Sequence, residues 1–262
     1  IRDRASLGRP FYFSWHPEGE RIVSHTGGAR RFKPAAQLQE YNTVRNTIEP
    51  LQMTPGLFFA PAWSPRGEHW LAVLADGETD QLFLLDTEQP LRQLAQSENN
   101  RISFVWSPQG DKIAYAIRKH GTDPLFDPIH VFDLKTGQVQ QITDSSFRIL
   151  AFFWSPDGEK LAYLQQPDAR GEWLQWRVYN LDRQEDRGYK IFVPSFQMLY
   201  VLGSFDQYAR SHRLWSPDSR YLVYADRDKQ LVERIWLLDT TAHNSTPSLL
   251  VDEGTFGVWS WR

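Results

Sequence analysis

The side chains able to do chemistry are scattered rather than gathered. Seven histidines, at 16, 25, 69, 120, 130, 212 and 243, could ligate a metal or move a proton. None stands in a His-Glu-x-x-His run and no two fall four residues apart, so no local metal signature exists. Were a site assembled from separate elements, His16, His25 and His212 would be the first ligands to test, because they flank the strands inferred below. The 32 acidic residues offer no pair whose spacing alone assigns a general acid and a general base. The sequence contains no Gly-x-Ser-x-Gly elbow, no phosphate-binding P-loop and no dinucleotide fingerprint. Lack of cysteine removes thiolate nucleophiles, thiolate metal sites and disulfides together. The sequence thus nominates no catalytic residue, no cofactor and no metal ligand, and reads as a non-enzyme.

What remains is the chemistry of recognition. Residues 195–213 are dense in aromatic and polar groups: Phe196, Tyr200, Phe205, Asp206, Gln207, Tyr208, Arg210 and His212. Aromatic and arginine side chains carry much of the energy of protein interfaces, although a loop folded back and packed would have a similar composition. A second irregular segment, residues 29–55, carries Arg30 and Arg31 and allows a short helix over residues 35–41. It reads either as an elaborated outer hairpin or as a partner-binding arm. Basic and acidic residues number 29 and 32, for a net charge of −3, and neither sign gathers into a long run, so nucleic acid is not the expected partner. No stretch approaches the roughly 18–20 consecutive apolar residues that cross a bilayer. The expected partner is therefore a protein.

The elements that must position these groups come from a repeat. Trp15, Trp63, Trp106, Trp154, Trp215 and Trp259 recur at intervals of 48, 43, 48, 61 and 44 residues. The first five are followed by His-Pro-Glu-Gly, Ser-Pro-Arg-Gly, Ser-Pro-Gln-Gly, Ser-Pro-Asp-Gly and Ser-Pro-Asp-Ser. Proline presets φ for a tight turn, aspartate bonds back to nearby amides and glycine accepts the exit conformation, so each motif reads as a reversal between strands. Short apolar runs follow, such as Lys160 to Leu164, and two further strands can be read in most repeats, for example over 174–181 and 189–193. Four short antiparallel strands per period of about 40–50 residues make a propeller blade. The tryptophans are expected to be buried as packing between neighbouring blades.

The stretch Trp-Ser-Pro-Asp-Gly-x-Lys-Leu-Ala-Tyr at 154–163 and its relatives resemble the WD40-like (PD40) repeats of the TolB propeller group, over essentially the whole chain. The resemblance implies an all-β, bacterial, extracytoplasmic or periplasmic β-propeller that acts through protein contacts, as a scaffold or accessory subunit of a membrane-associated or envelope assembly, and it brings no catalytic motif. Two alternatives stay open: the gating propeller of a hydrolase, and a metal-dependent propeller lyase. His16, Arg66, Gln109 and Ser219 depart from the repeat pattern, which argues against one ion-binding role shared by all the turns.

Phased this way, the chain is one propeller over residues 1–262, with blades near 9–55, 56–99, 100–145, 146–194 and 195–253, and with 254–262 as the first strand of a closing blade. The expectation is six four-stranded blades, the sixth incomplete here and its middle strands upstream of Ile1 or supplied by a partner. A five-bladed ring, in which residues 257–261 pair against the first blade, is the alternative.

Overall fold

Each repeat begins with a strand that ends on tryptophan and reverses through a proline-containing turn whose exit needs a left-handed backbone. Gly19, Gly67, Gly110 and Gly158 supply it at φ 77, 76, 70 and 73°, and in the fifth copy Ser219 takes the same region at φ 58°. The turn serine then ties the two strands together. Ser64, Ser107, Ser155 and Ser216 accept through Oγ from the amides of His69, Lys112, Lys160 and Tyr221, at 3.3, 3.0, 2.9 and 2.8 Å. All four serines are buried, so each hydroxyl meets its hydrogen-bonding need on a backbone donor at the entry to the next strand.

The computed structural model describes residues 11–28, 36–57, 59–86, 90–98, 101–118, 125–167, 173–208, 212–243 and 246–260. They belong to two compact units, residues 1–102 and 103–262.

The first unit holds two antiparallel sheets. One runs β1 (Phe11–Trp15), β2 (Arg21–Thr26), β3 (Gln37–Asn42), β4 (Thr47–Pro50); the other runs β5 (Ala62–Trp63), β6 (Trp70–Asp76), β7 (Thr79–Leu85), β8 (Pro90–Ser97). Val23 and Leu38 of the first pack against Trp63, Trp70, Ala72, Leu74 and Leu85 of the second. The Trp63 amide donates to Ser14 Oγ at 3.1 Å. The short helix expected over residues 35–41 is not there: β3 pairs with β2 from Gln37 opposite Thr26 to Asn42 opposite Arg21. Helix formers such as Leu38 and Glu40 yield to tertiary pairing, because Leu38, 1% exposed, reaches the core on the strand's period of two. The outer-hairpin reading of this segment describes β3 and β4.

The second unit holds three sheets. β9 (Ile102–Trp106), β10 (Lys112–Ile117), β11 (His130–Asp133) and β12 (Val139–Gln141) form one; β13 (Ile149–Trp154), β14 (Lys160–Gln165), β15 (Leu174–Asn180) and β16 (Glu185–Phe192) form the next. After α1 (Phe196–Leu202) and α2 (Phe205–Tyr208) comes a sheet of β17 (Tyr221–Arg227), β18 (Glu233–Asp239) and β19 (Leu249–Glu253). Here the first strand is reduced to a single bridge between Trp215 and Leu222. One continuous core joins the three sheets, with Phe152, Tyr163, Trp176, Trp215 and Leu222 among its most buried members.

The tryptophans do the joining in this unit. Trp154 Nε1 donates to Val105 O at 3.3 Å and Trp215 Nε1 to Phe153 O at 3.1 Å. Each indole therefore reaches the carbonyl just before the tryptophan of the preceding repeat. Trp63, Trp106, Trp154 and Trp215 are buried as expected, whereas Trp259 is half-buried and Trp15 is 48% exposed. Trp15 departs from the series for a positional reason. It shares one face of β1 with Phe11 and Phe13, both exposed, while Tyr12 and Ser14 alternate to the other face and Ser14 meets the second sheet. No sheet of that unit covers the Trp15 face among the described residues.

Candidate interaction surface

The segment between β16 and Trp215 folds back on the end of the third sheet of the second unit. Arg227 N donates to Val193 O at 2.7 Å, Ser195 N donates to Ala225 O at 3.2 Å, and Val193 N donates to Asp226 Oδ1 at 3.2 Å. Half-buried, Asp226 has its carboxyl pushed above the usual range, mainly by desolvation. Ser195 then caps α1: its Oγ accepts from Met198 N at 3.0 Å and donates to Thr255 O.

Seven residues of α1 present two apolar faces. Met198, Val201 and Leu202, at i, i+3 and i+4, are buried; Phe196, Leu199 and Tyr200, spaced the same way, are exposed. A solvent-facing helix ordinarily turns polar residues outward, yet Phe196 and Tyr200 are 67% and 75% exposed. The Arg227 guanidinium lies over the Phe196 ring at 4.1 Å, and Phe196 N donates to Glu233 Oε1 at 3.2 Å. Two more exposed apolar residues sit at this end. Trp173 immediately precedes Leu174, which pairs with Phe192, and Leu231 lies in the β17–β18 turn at φ 63°. The arrangement offers flat aromatic area and a stacked cation for another protein.

Sequence reasoning found Phe196 and Tyr200 here and missed Leu199, Trp173 and Leu231, which only the folding of separate turns brings to one end. It also included residues with other work. Phe205 is buried, contrary to a surface role, and meets Phe126, Phe152 and Phe153 at centroid distances of 6.0, 4.7 and 5.8 Å. Asp206 accepts from Ser103 Oγ at 2.6 Å, Gln207 is half-buried in α2, and His212 packs on Phe256 with centroids 5.6 Å apart. Arg30, Arg31 and Arg210 lie outside the described residues, as does the side chain of Tyr208.

Of the three histidines singled out as conceivable ligands, His16 and His25 are engaged with the backbone. His16 Nδ1 accepts from Glu18 N at 3.3 Å and its Nε2 donates to Gly67 O at 3.1 Å. His25 Nδ1 accepts from Phe59 N at 3.3 Å and its Nε2 donates to Gly28 O at 2.9 Å; burial lowers its pKa. Among the described residues no three His, Asp or Glu side chains converge as a metal site, and no helix is long and apolar enough to cross a membrane.

Three of the four side chains that depart from the repeat pattern reach from turn to turn. His16 contacts Gly67 in the first unit. In the second, Gln109 Nε2 donates to Pro156 O and Asp157 O at 3.2 and 2.8 Å, while Ser219 Oγ accepts from Asp157 N at 3.0 Å.

The chain matches the family model described as the TolB beta propeller domain over residues 12–261. No curated protein matched it in sequence. Among solved structures it is similar to TolB from Acinetobacter baumannii, at 18% identity and a TM-score of 0.52, covering 88% of this chain and 52% of that one. A structure described as TolB from Agrobacterium tumefaciens aligns at 16% identity and a TM-score of 0.50, over 95% of this chain and 82% of that one. A eukaryotic initiation factor aligns at 13% identity and a TM-score of 0.55, over 90% of this chain and 52% of that one. This chain thus spans about half the length of the Acinetobacter TolB, and at such identities the likeness is one of fold. With the family match running nearly end to end, and four sheets of antiparallel strands whose first strand ends on tryptophan, the chain belongs to the TolB β-propeller domain family.

Proposed function

We propose that the chain is a non-catalytic propeller scaffold that holds a protein partner on the α1 end of its second unit, as an accessory subunit of an extracytoplasmic, envelope-associated assembly in bacteria. One observation carries this reading: α1 turns Phe196, Leu199 and Tyr200 to solvent while its opposite face is already buried. Exposed aromatics beside an arginine, held on a rigid sheet, are the composition in which interface energy concentrates. Membership of the TolB propeller domain family supports the scaffold role and the compartment.

The test places a photo-crosslinking residue at position 200 and, in a second preparation, at position 135 in the β11–β12 turn, at the strand ends that carry the Ser-Pro turns. In the native source, a discrete adduct is expected from position 200 alone, and Phe196→Ser should reduce its yield several-fold. Equal crosslinking from both positions, or a yield untouched by Phe196→Ser, would overturn the assignment of this surface.

A further inference from the structure

The outer strands of the five sheets are not alike. β4, β8, β12 and β16 each expose a single large apolar side chain, Ile48, Leu91, Val139 and Ile191. Each also carries something that spoils an open edge for pairing. β4 is four residues long and ends on Pro50, β8 starts on Pro90 and slips register twice, β12 has three residues, and β16 is charged at Glu185, Asp186, Arg187 and Lys190.

Along its first three residues β19 has no proline and no charge, and its register to β18 slips once, at Val251. Leu249, Leu250 and Val251 stand in succession and are 64%, 49% and 54% exposed. Adjacent residues of a strand point to opposite faces, so exposure of all three means that neither face of β19 is covered. Among the described residues β19 is the terminal strand of its sheet and pairs only with β18, from Arg234 opposite Glu253 to Leu237 opposite Leu249. Val251 falls at the register shift, outside the rungs to β18. An apolar strand with one open edge is a template for a strand from another chain.

We propose that β19 is a docking edge for an extended peptide that adds antiparallel to it, with cationic residues preceding an apolar run. The direction follows from antiparallel pairing, the mode of every pair in the described sheets. The charge follows from Asp252 and Glu253 at the end of β19, both exposed: in an antiparallel partner the residues facing them come first. A second copy of the chain fits less well, because β19 paired against itself about Val251 would set Asp252 and Glu253 opposite leucines and supply no cation. This edge is independent of the α1 surface, so either assignment can fail without the other.

The test uses the full chain and a fluorescent peptide with Lys-Lys followed by Val-Ile-Val between Gly-Ser flanks, read by anisotropy. Saturable binding is expected, weakened about tenfold or more when Glu-Glu replaces Lys-Lys and when alternate peptide amides are N-methylated to block strand pairing. Val251→Lys should abolish binding without cutting a rung to β18. Glu253→Lys should exchange the preference, favouring the Glu-Glu peptide, and so serves even where Val251→Lys perturbs folding. No binding by the wild type, or equal binding of the N-methylated peptide, overturns the proposal. So does a concentration-dependent dimer of the wild type, seen by sedimentation and lost in Val251→Lys, which would make a second copy the occupant.

Discussion

Asp239 shows how much a single carboxylate can hold together at the end of a strand. Its Oδ2 accepts from Arg220 Nη2 at 2.7 Å and Nε at 3.1 Å, and its Oδ1 from Thr241 N and Oγ1 at 2.9 and 2.7 Å. These donors, Arg220 first, hold its pKa far below the ordinary 3.8, against partial burial. A carboxyl whose pKa is depressed by folding adds stability above its unfolded pKa and loses it as the pH falls toward the folded one. Asp239→Asn should therefore melt lower than wild type at neutral pH, with the gap closing as the pH drops below about 4. Asp226 has the opposite sign, since burial raises it: its cost to the fold grows as pH rises, so Asp226→Asn should gain relative to wild type on going from acid to neutral pH. Melting curves of both variants from pH 3 to 7 check the pair, and parallel slopes would refute it. At this scale the sequence was only partly legible. Phe196 and Tyr200 could be nominated from composition, but whether an aromatic faces water or core depends on distant residues, and Phe205 is buried by Phe126, Phe152 and Phe153.

Strands and turns were the more legible level, because their rules are local. Proline followed two residues later by glycine marks the reversal, short apolar runs mark β14 and β17, and alternating apolar residues mark β15, each to within a few positions. The short helix allowed over residues 35–41 gives way to β3 because helical propensity is local, whereas pairing with β2 is set by residues more than ten positions away. What the repeat pattern could not show is that three of its exceptions, His16, Gln109 and Ser219, connect one turn to another. Ser219 stands where glycine is usual, at φ 58°, and its Oγ accepts from Asp157 N at 3.0 Å. Left-handed backbone costs a non-glycine residue about 1–2 kcal/mol, and one neutral hydrogen bond returns about 0.5–1.5 kcal/mol. Ser219→Gly removes both and should shift stability by less than about 1 kcal/mol. Ser219→Ala keeps the strain and loses the bond, so it should cost about 1–2 kcal/mol. Urea denaturation of the two variants separates them, and an alanine variant as stable as the glycine one would deny that the turn-to-turn bond contributes.

For the molecule as a whole, the sequence disclosed the architecture through one recurrent indole, yet that indole does not do the same work in every repeat. Trp154 is buried and donates to Val105 O at 3.3 Å, joining two sheets of the second unit. Trp15 is the same residue at the same point of the repeat, but 48% of it is exposed, beside the exposed rings of Phe11 and Phe13. Burial sets the expected cost of removing each. Truncating a buried tryptophan leaves a cavity, so Trp154→Ala should cost about 3–5 kcal/mol. Trp15→Ala forfeits only the half of its surface that folding buries and leaves no closed cavity, so it should cost about 1 kcal/mol. Equilibrium unfolding of the two variants, followed by far-ultraviolet circular dichroism so that the lost fluorophore does not bias the readout, gives the ratio directly. A cost for Trp15→Ala as large as that for Trp154→Ala would mean that the Phe11, Phe13 and Trp15 face is covered in solution. The repeat's sixfold tryptophan signal would then report one packing environment throughout. A several-fold smaller cost would establish that the same motif serves packing in one place and leaves an aromatic face open in another.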